Sequence, residues 1–126
     1  MAKVAVVVLS EMEEHQDLGR VVNALQVVKE FKKAGDEVEL IFDGGGVVSA
    51  VEMADPEHRL HRAWEQVEDK VSGLCRYCAR AFDVYERAKE LELPFLAEFE
   101  HIAAANAADL ASLAAMCSNS ARKPFT

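Results

Sequence analysis

Two thiols lie three positions apart in the stretch VSGLCRYCARAF (71–82), as Cys75 and Cys78. Cysteines at this spacing could bind a metal, exchange a disulfide, carry sulfur, or fill a core. The residues before Cys75 read as a strand and those after it as a helix. A cysteine at such a junction meets unpaired N–H groups and the positive end of the helix dipole, both of which favour a thiolate. Arg76 and Arg80 are placed to add positive charge. The expectation is a solvent-facing Cys75 thiol that ionises easily, with Cys78 one turn further on and close enough to approach it.

Three other readings compete. Free cysteine is often simply buried as a small apolar residue. The histidines of HRLH, His58 and His61, have helical i,i+3 spacing and with the two cysteines would make a Cys2His2 zinc set. A Cys-x-x-Cys after a strand also fits a thioredoxin-like redox pair, but two β-α units precede it, which is the wrong order of elements.

Two further stretches bear on the thiols. The loop SEMEEHQD (10–17) carries Ser10 and His15, the latter a candidate base or hydrogen-bond partner, or else a solvated loop histidine. DGGG (43–46) lacks the spacing of either nucleotide-binding fingerprint and has no Lys-Ser/Thr. Its Gly44 and Gly45 read as a tight strand-to-helix turn that brings backbone close to the site, with Asp43 capping the turn. Ser10, His15, Asp43, Gly44, Gly45 and Arg76 are therefore the candidate binding residues around Cys75 and Cys78. No metal or cofactor is assigned.

These residues need a frame. VAVVVL (4–9) is a continuous, β-branched apolar run, as in a strand of a parallel sheet buried on both faces. LGRVVNALQVVKEFKKAG (18–35) has helical spacing, with Leu18, Val21, Val22, Leu25, Val27, Val28 and Phe31 as an apolar stripe. Lysines lie near its end and Gly35 is its C-cap. EVELIF (37–42) is the second strand and VVSAVEMA (47–54) the second helix. Asp55 and Pro56 open a third helix through residue 70. VSGLC (71–75) is the third strand, and a single helix covers 76–92. LPFLAEF (93–99) is loop or short strand. AADLASLAAM (107–116) is a helix, and the tail 118–126 is a candidate last strand. Cys117, Trp64 and the methionines read as packing. This alternation predicts a three-layer α/β/α fold with a mainly parallel sheet of about five strands. In such sheets the site lies beyond the carboxyl ends of the strands, so residues 10–17, 43–46 and 75–78 should meet at one rim.

The bulk composition agrees with one globular domain spanning 1–126. The chain has 126 residues, 51% of them apolar, and a net charge of −8. That charge makes nucleic acid and anionic membrane surfaces poor partners. The N-terminal apolar run is too short for a secretory signal, and no segment approaches the roughly 20 apolar residues of a membrane span. The expectation is a cytoplasmic protein, where three cysteines serve as thiols, ligands or catalysts rather than as a disulfide framework.

Residues 3–100 resemble the DsrE/DsrF-like family of small sulfur-relay proteins. The resemblance rests on the apolar first strand, the Phe-Asp-Gly turn after the second, the cysteine closing the third, the helix after it, and the segment LELPFLAEFE (91–100). It implies a doubly wound fold, often in homo-oligomers such as trimers or hexamers, with a dimer as the further option. It also implies that Cys75 accepts sulfane sulfur as a persulfide and passes it on, between sulfur donor and acceptor proteins. Cys78 resembles the second cysteine of a Cys-x-x-Cys-Ala branch. After Glu100 the chain departs from the family pattern: His101 stands where a turn histidine is common, and the closing strand is polar. The expected function is persulfide carriage or thiol redox exchange, with sulfurtransferase-like turnover left open. The alternatives are a non-catalytic oligomeric binding module with structural thiols and the small Cys/His zinc protein.

Overall fold

The structure is a computed structural model that describes residues 2–96. Its elements alternate as β1 (Lys3–Val8), α1 (His15–Lys33), β2 (Glu37–Phe42), α2 (Gly46–Ala54), α3 (His61–Glu65), a 3-10 turn (Glu68–Lys70), β3 (Val71–Cys75), α4 (Arg76–Ala81), α5 (Tyr85–Glu90) and β4 (Phe95–Leu96). The four strands form one parallel sheet in the order β1-β2-β3-β4. This is the expected α/β class, and it is consistent with the three-layer arrangement. Four strands are described where about five were expected. The helix expected at 107–116, the strand at 118–126, Cys117 and His101 lie outside the described residues. Within the described residues the strand order does not reverse, so the direction switch of a doubly wound sheet does not fall among them. No described helix is long and apolar enough to cross a membrane.

The core forms on one face of the sheet. Val4, Val6 and Val8 alternate along β1, in register with Val38, Leu40 and Phe42 of β2. Leu74 of β3 pairs with Phe42. All seven join one hydrophobic cluster with Val21, Leu25 and Val28 of α1, with most of α2, and with Trp64. The Phe42 and Trp64 rings stack tilted, their centroids 5.6 Å apart. The α1 stripe is narrower than the sequence suggested. Val21, Leu25 and Val28, spaced four and three, are buried, whereas Val22 and Val27 on the flanks are exposed.

Helix ends account for most differences from the sequence reading. Helix α1 begins at His15, three residues before the expected start, because 15–17 continue the helical turn that carries Leu18. It stops as expected: Gly35 sits in the left-handed region at φ 82°, donates to the Lys32 carbonyl, and lets the Asp36 N–H reach the Phe31 carbonyl. Asp55 does not open a long helix. It follows α2, and its Oδ1 accepts from the Glu57 N–H at 2.9 Å, closing a turn. The helix beyond it shortens to His61–Glu65. The single helix expected over 76–92 is two helices, broken where Asp83 takes φ 61°. Aspartate adopts that conformation at lower cost than most side chains.

The glycine turn fixes how β2 leaves the sheet. The Asp43 N–H donates to the Val8 carbonyl at 3.0 Å, which holds the start of the turn against the end of β1. A Cβ on Gly46 would meet that same Val8 oxygen at 1.9 Å. No side chain fits there without moving backbone. Gly19, in the middle of α1, has nothing within 4 Å of the corresponding point. Two substitutions therefore separate crowding from propensity. Gly46→Ala should lower the unfolding free energy by about 1–3 kcal/mol or more, as overpacked sites do. Gly19→Ala should raise stability by roughly 0.5–1 kcal/mol, because alanine is the better helix former. Equal effects of the two in urea titrations would contradict this picture of the turn.

Candidate functional site: a carboxyl and two thiols at the strand ends

The rim predicted from the sequence is built from β2 and β3. Asp43 follows the last residue of β2, and Cys75 is the last residue of β3 and the N-cap of α4. Side chains alternate along a strand, and the β2–β3 pairing carries an irregularity between Leu40 and Ile41 that leaves Ser72 out of the register. Ser72 spends its hydroxyl on Glu39. Beyond it, Leu74 points into the core with Phe42, and Cys75 points away from Leu74. Cys75 is thereby placed beside the glycine turn. The Cys78 N–H, in the first turn of α4, donates to the Cys75 Sγ at 3.5 Å, which folds Cys78 back over Cys75. The Cys78 thiol donates to the Asp43 Oδ1 at 3.3 Å. The same oxygen accepts from the Gly44 N–H at 2.9 Å, so Asp43 caps the turn as expected and also meets the thiols. The ligand atoms of Asp43, Cys75 and Cys78 all lie within 4.8 Å of one another.

Burial divides the labour of the two cysteines. Cys75 is 1% exposed, which corrects the expectation of a solvent-facing thiol there. The reason is local: its side chain caps α4 and is covered by the turn that the cap initiates. Cys78 is half-buried. The Cys75 thiol is pushed far above the usual thiol range, first because it donates its proton to Cys78 and second because burial penalises the anion. The Cys78 thiol is lowered, first by the hydrogen bond from Cys75 and also by the Gly44 N–H. Burial and the Asp43 carboxylate oppose that shift without reversing it. Of the two thiols, Cys78 ionises the more readily, and while protonated it donates to the Asp43 carboxylate.

The remaining candidates separate. Gly44 belongs to the site through its N–H. Gly45 is the N-cap of α2 and packs against Glu11 and Leu9 rather than the thiols. The Ser10 carbonyl accepts from the buried Ser49 hydroxyl at 2.5 Å, and Ser10 lines a recess of about 240 Å³ with Val7, Leu9 and Arg20. His15 is the exposed first residue of α1 rather than a loop residue, and it does not join the thiol cluster. Arg76 lies over the Phe95 ring at 5.2 Å and Arg80 over Tyr85 at 4.5 Å. The groups that shift the two thiols most are each other, Asp43 and Gly44, together with burial. The Cys2His2 set is not assembled. His61 Nδ1 bonds the Met53 carbonyl, and His58 Nδ1 accepts from the Leu60 N–H. What the sequence reading missed is the contact between Asp43 and Cys78. Its signal was the i,i+3 step from a strand-end cysteine, which turns the second thiol toward the neighbouring strand end.

Comparison with known proteins adds little chemistry. The uncharacterized protein MJ0733 of Methanocaldococcus jannaschii is 32% identical to this chain over 88 residues, which are 69% of this chain and 72% of that one. No protein-family model matches the chain, and no solved structure matches it significantly.

Alkylation rates test the assignment of charge. Cys78 should react with iodoacetamide first, and its rate should stay high as pH falls below the ordinary thiol pKa near about 8.5, dropping only through its own lower value. Cys75→Ala removes the donor and should raise the pH at which Cys78 reacts. Asp43→Asn removes an opposing carboxylate and should lower it. Mass-mapped labelling that finds Cys75 reacting first in the native protein would reverse the assignment.

Proposed function

The chain belongs to the same family as that uncharacterized archaeal protein, whose name carries no activity, and from the site itself we propose that it is a sulfur carrier of the DsrE/DsrF-like kind. The observation that supports this most is the thiol pair itself: a half-buried Cys78 whose ionisation is favoured by the hydrogen bond from a buried Cys75. Transfer of sulfane sulfur needs an accessible thiolate of moderate basicity. Cys78 meets that requirement better than Cys75, so the roles exchange relative to the sequence expectation.

The chemistry balances with the groups present. The Cys78 thiolate attacks the outer sulfur of a donor persulfide R–S–SH. The S–S bond of the donor breaks, R–S⁻ leaves, and Cys78 carries –S–SH. An acceptor thiolate then takes the outer sulfur and returns Cys78 to the thiolate. In the second route Cys75, once deprotonated, attacks the Cys78 sulfur. Hydrosulfide leaves with the hydrogen that the persulfide carried, the Cys75 proton having passed to solvent, and a Cys75–Cys78 disulfide remains for an external dithiol to reduce. The compartment is a reducing one such as the cytoplasm, where the pair persists as thiols. The partners are sulfur donor and acceptor proteins and further copies of the chain.

Intact mass after exposure to a small-molecule persulfide donor checks this reading. The expected result is one added sulfur per chain, lost in Cys78→Ser and retained in Cys75→Ser, whose persulfide should last longer because the resolving thiol is gone. A parent chain that gains no sulfur while both thiols react freely with iodoacetamide removes sulfur carriage and leaves a binding module with structural thiols.

A further inference from the structure

The corner at the strand ends holds three acidic groups and little water. Asp43 is 7% exposed and Cys75 1%. Fully ionised they would set three negative charges within 4.8 Å of one another. Buried charge at that density is sustained only by pairing or by a metal ion. The spacing suits the second. Around zinc, with Zn–S near about 2.3 Å and Zn–O near about 2.0 Å, a tetrahedral S···O edge is about 3.5 Å and an S···S edge about 3.8 Å. The Cys78 Sγ and Asp43 Oδ1 are already 3.3 Å apart.

We propose that Asp43, Cys75 and Cys78 bind one divalent zinc-class cation, through one carboxylate oxygen and two thiolate sulfurs, with the fourth position left to water on the half-open Cys78 side. The ligands come from rigid places. Asp43 is held by the Gly44 N–H and by its own N–H on the Val8 carbonyl, and Cys75 ends a sheet strand. The donor set also selects among cations. Two thiolates reject magnesium and calcium, and a carboxylate is a poor partner for copper(I), which favours sulfur alone. Binding displaces whatever protons the two sulfurs still hold, so affinity rises with pH. This site is distinct from the Cys2His2 set, since no histidine takes part. It rests on the geometry and not on sulfur carriage, although a sulfur held by zinc cannot accept a sulfane at the same time.

Cobalt(II) is the probe. Titrated anaerobically into the reduced, metal-free chain, it should give a thiolate-to-cobalt charge-transfer band and intense visible bands of a tetrahedral ion, saturating at one per chain and bleached by zinc(II). Asp43→Asn and Cys78→Ser should each weaken binding about tenfold or more. Cys117→Ser should leave the spectrum unchanged. No charge-transfer band in the parent chain at several-fold excess of cobalt, a band that survives Cys78→Ser at full strength, or a band lost in Cys117→Ser overturns the proposal. Should Cys78→Ser fail to fold, the parent stoichiometry and Asp43→Asn decide it. Persulfide loading of the metal-free chain is read separately by mass. Cobalt binding without loading upholds the metal site and removes the carrier. Loading without cobalt binding does the reverse.

Discussion

Exclusion of water from the corner where β2 and β3 end governs what the thiols can do. Two charges about 4 Å apart repel by roughly 4 kcal/mol at the effective dielectric of a protein surface, and by more where solvent is absent. Asp43, Cys75 and Cys78 are crowded closely enough for that penalty to decide their protonation. One thiol must keep its proton for the other to lose it. Cys75, the more buried, ionises less readily, and its hydrogen bond makes Cys78 the one that ionises more readily. An unshared thiol in the same place would be inert, and an exposed pair would be ordinary. The reactivity therefore lies in the coupling and not in either cysteine.

The fold holds that corner shut with backbone rather than with side chains. The turn after β2 lies on the end of β1 because Gly46 has no Cβ and the Asp43 N–H reaches the Val8 carbonyl. Ser49, fully buried on α2, fastens the same turn to the chain beyond β1 through the Ser10 carbonyl. Ser72 drops out of register and sets which way Cys75 faces. These contacts tie together segments from β1 through β3. The site is consequently a property of the folded sheet, and a short peptide containing Cys75 and Cys78 would keep the spacing but lose the carboxylate and the burial.

Much of this was legible from residue patterns. The apolar runs at 4–9, 37–42 and 71–75 carry their period and their bounds in the sequence, and the strands fall at or within a residue of them. The rule that sites gather at carboxyl strand ends brought Asp43, Gly44, Cys75 and Cys78 together correctly. It brought Ser10 and His15 too, because it speaks of segments and not of side-chain directions. His15 was lost to an N-terminal extension of α1, a boundary that no capping residue marked. The break at Asp83 was hidden because Phe82, Asp83 and Val84 carry no glycine or proline to announce it. Cys75 looked exposed because a strand end is usually open. Its burial depends on a cap formed three residues later and on a turn from another strand, and the second is not encoded near Cys75.

The order of thiols in the chain accordingly gives no guide to which one ionises more readily. The first cysteine of the pair ends a strand, so its direction is dictated by the pleat and its Sγ becomes the acceptor for the helix that follows. The second stands on the first turn of that helix, where its sulfur can accept from Cys75 and from the Gly44 N–H while part of its surface meets solvent. A donor thiol beneath and a nucleophile above is what a strand–Cys-x-x-Cys–helix junction produces whenever the strand end is covered. Uncover it, and desolvation no longer holds the proton on the first cysteine. Which of the two thiols faces solvent is then decided by what packs on the strand end, which here is the aspartate and glycine turn of β2.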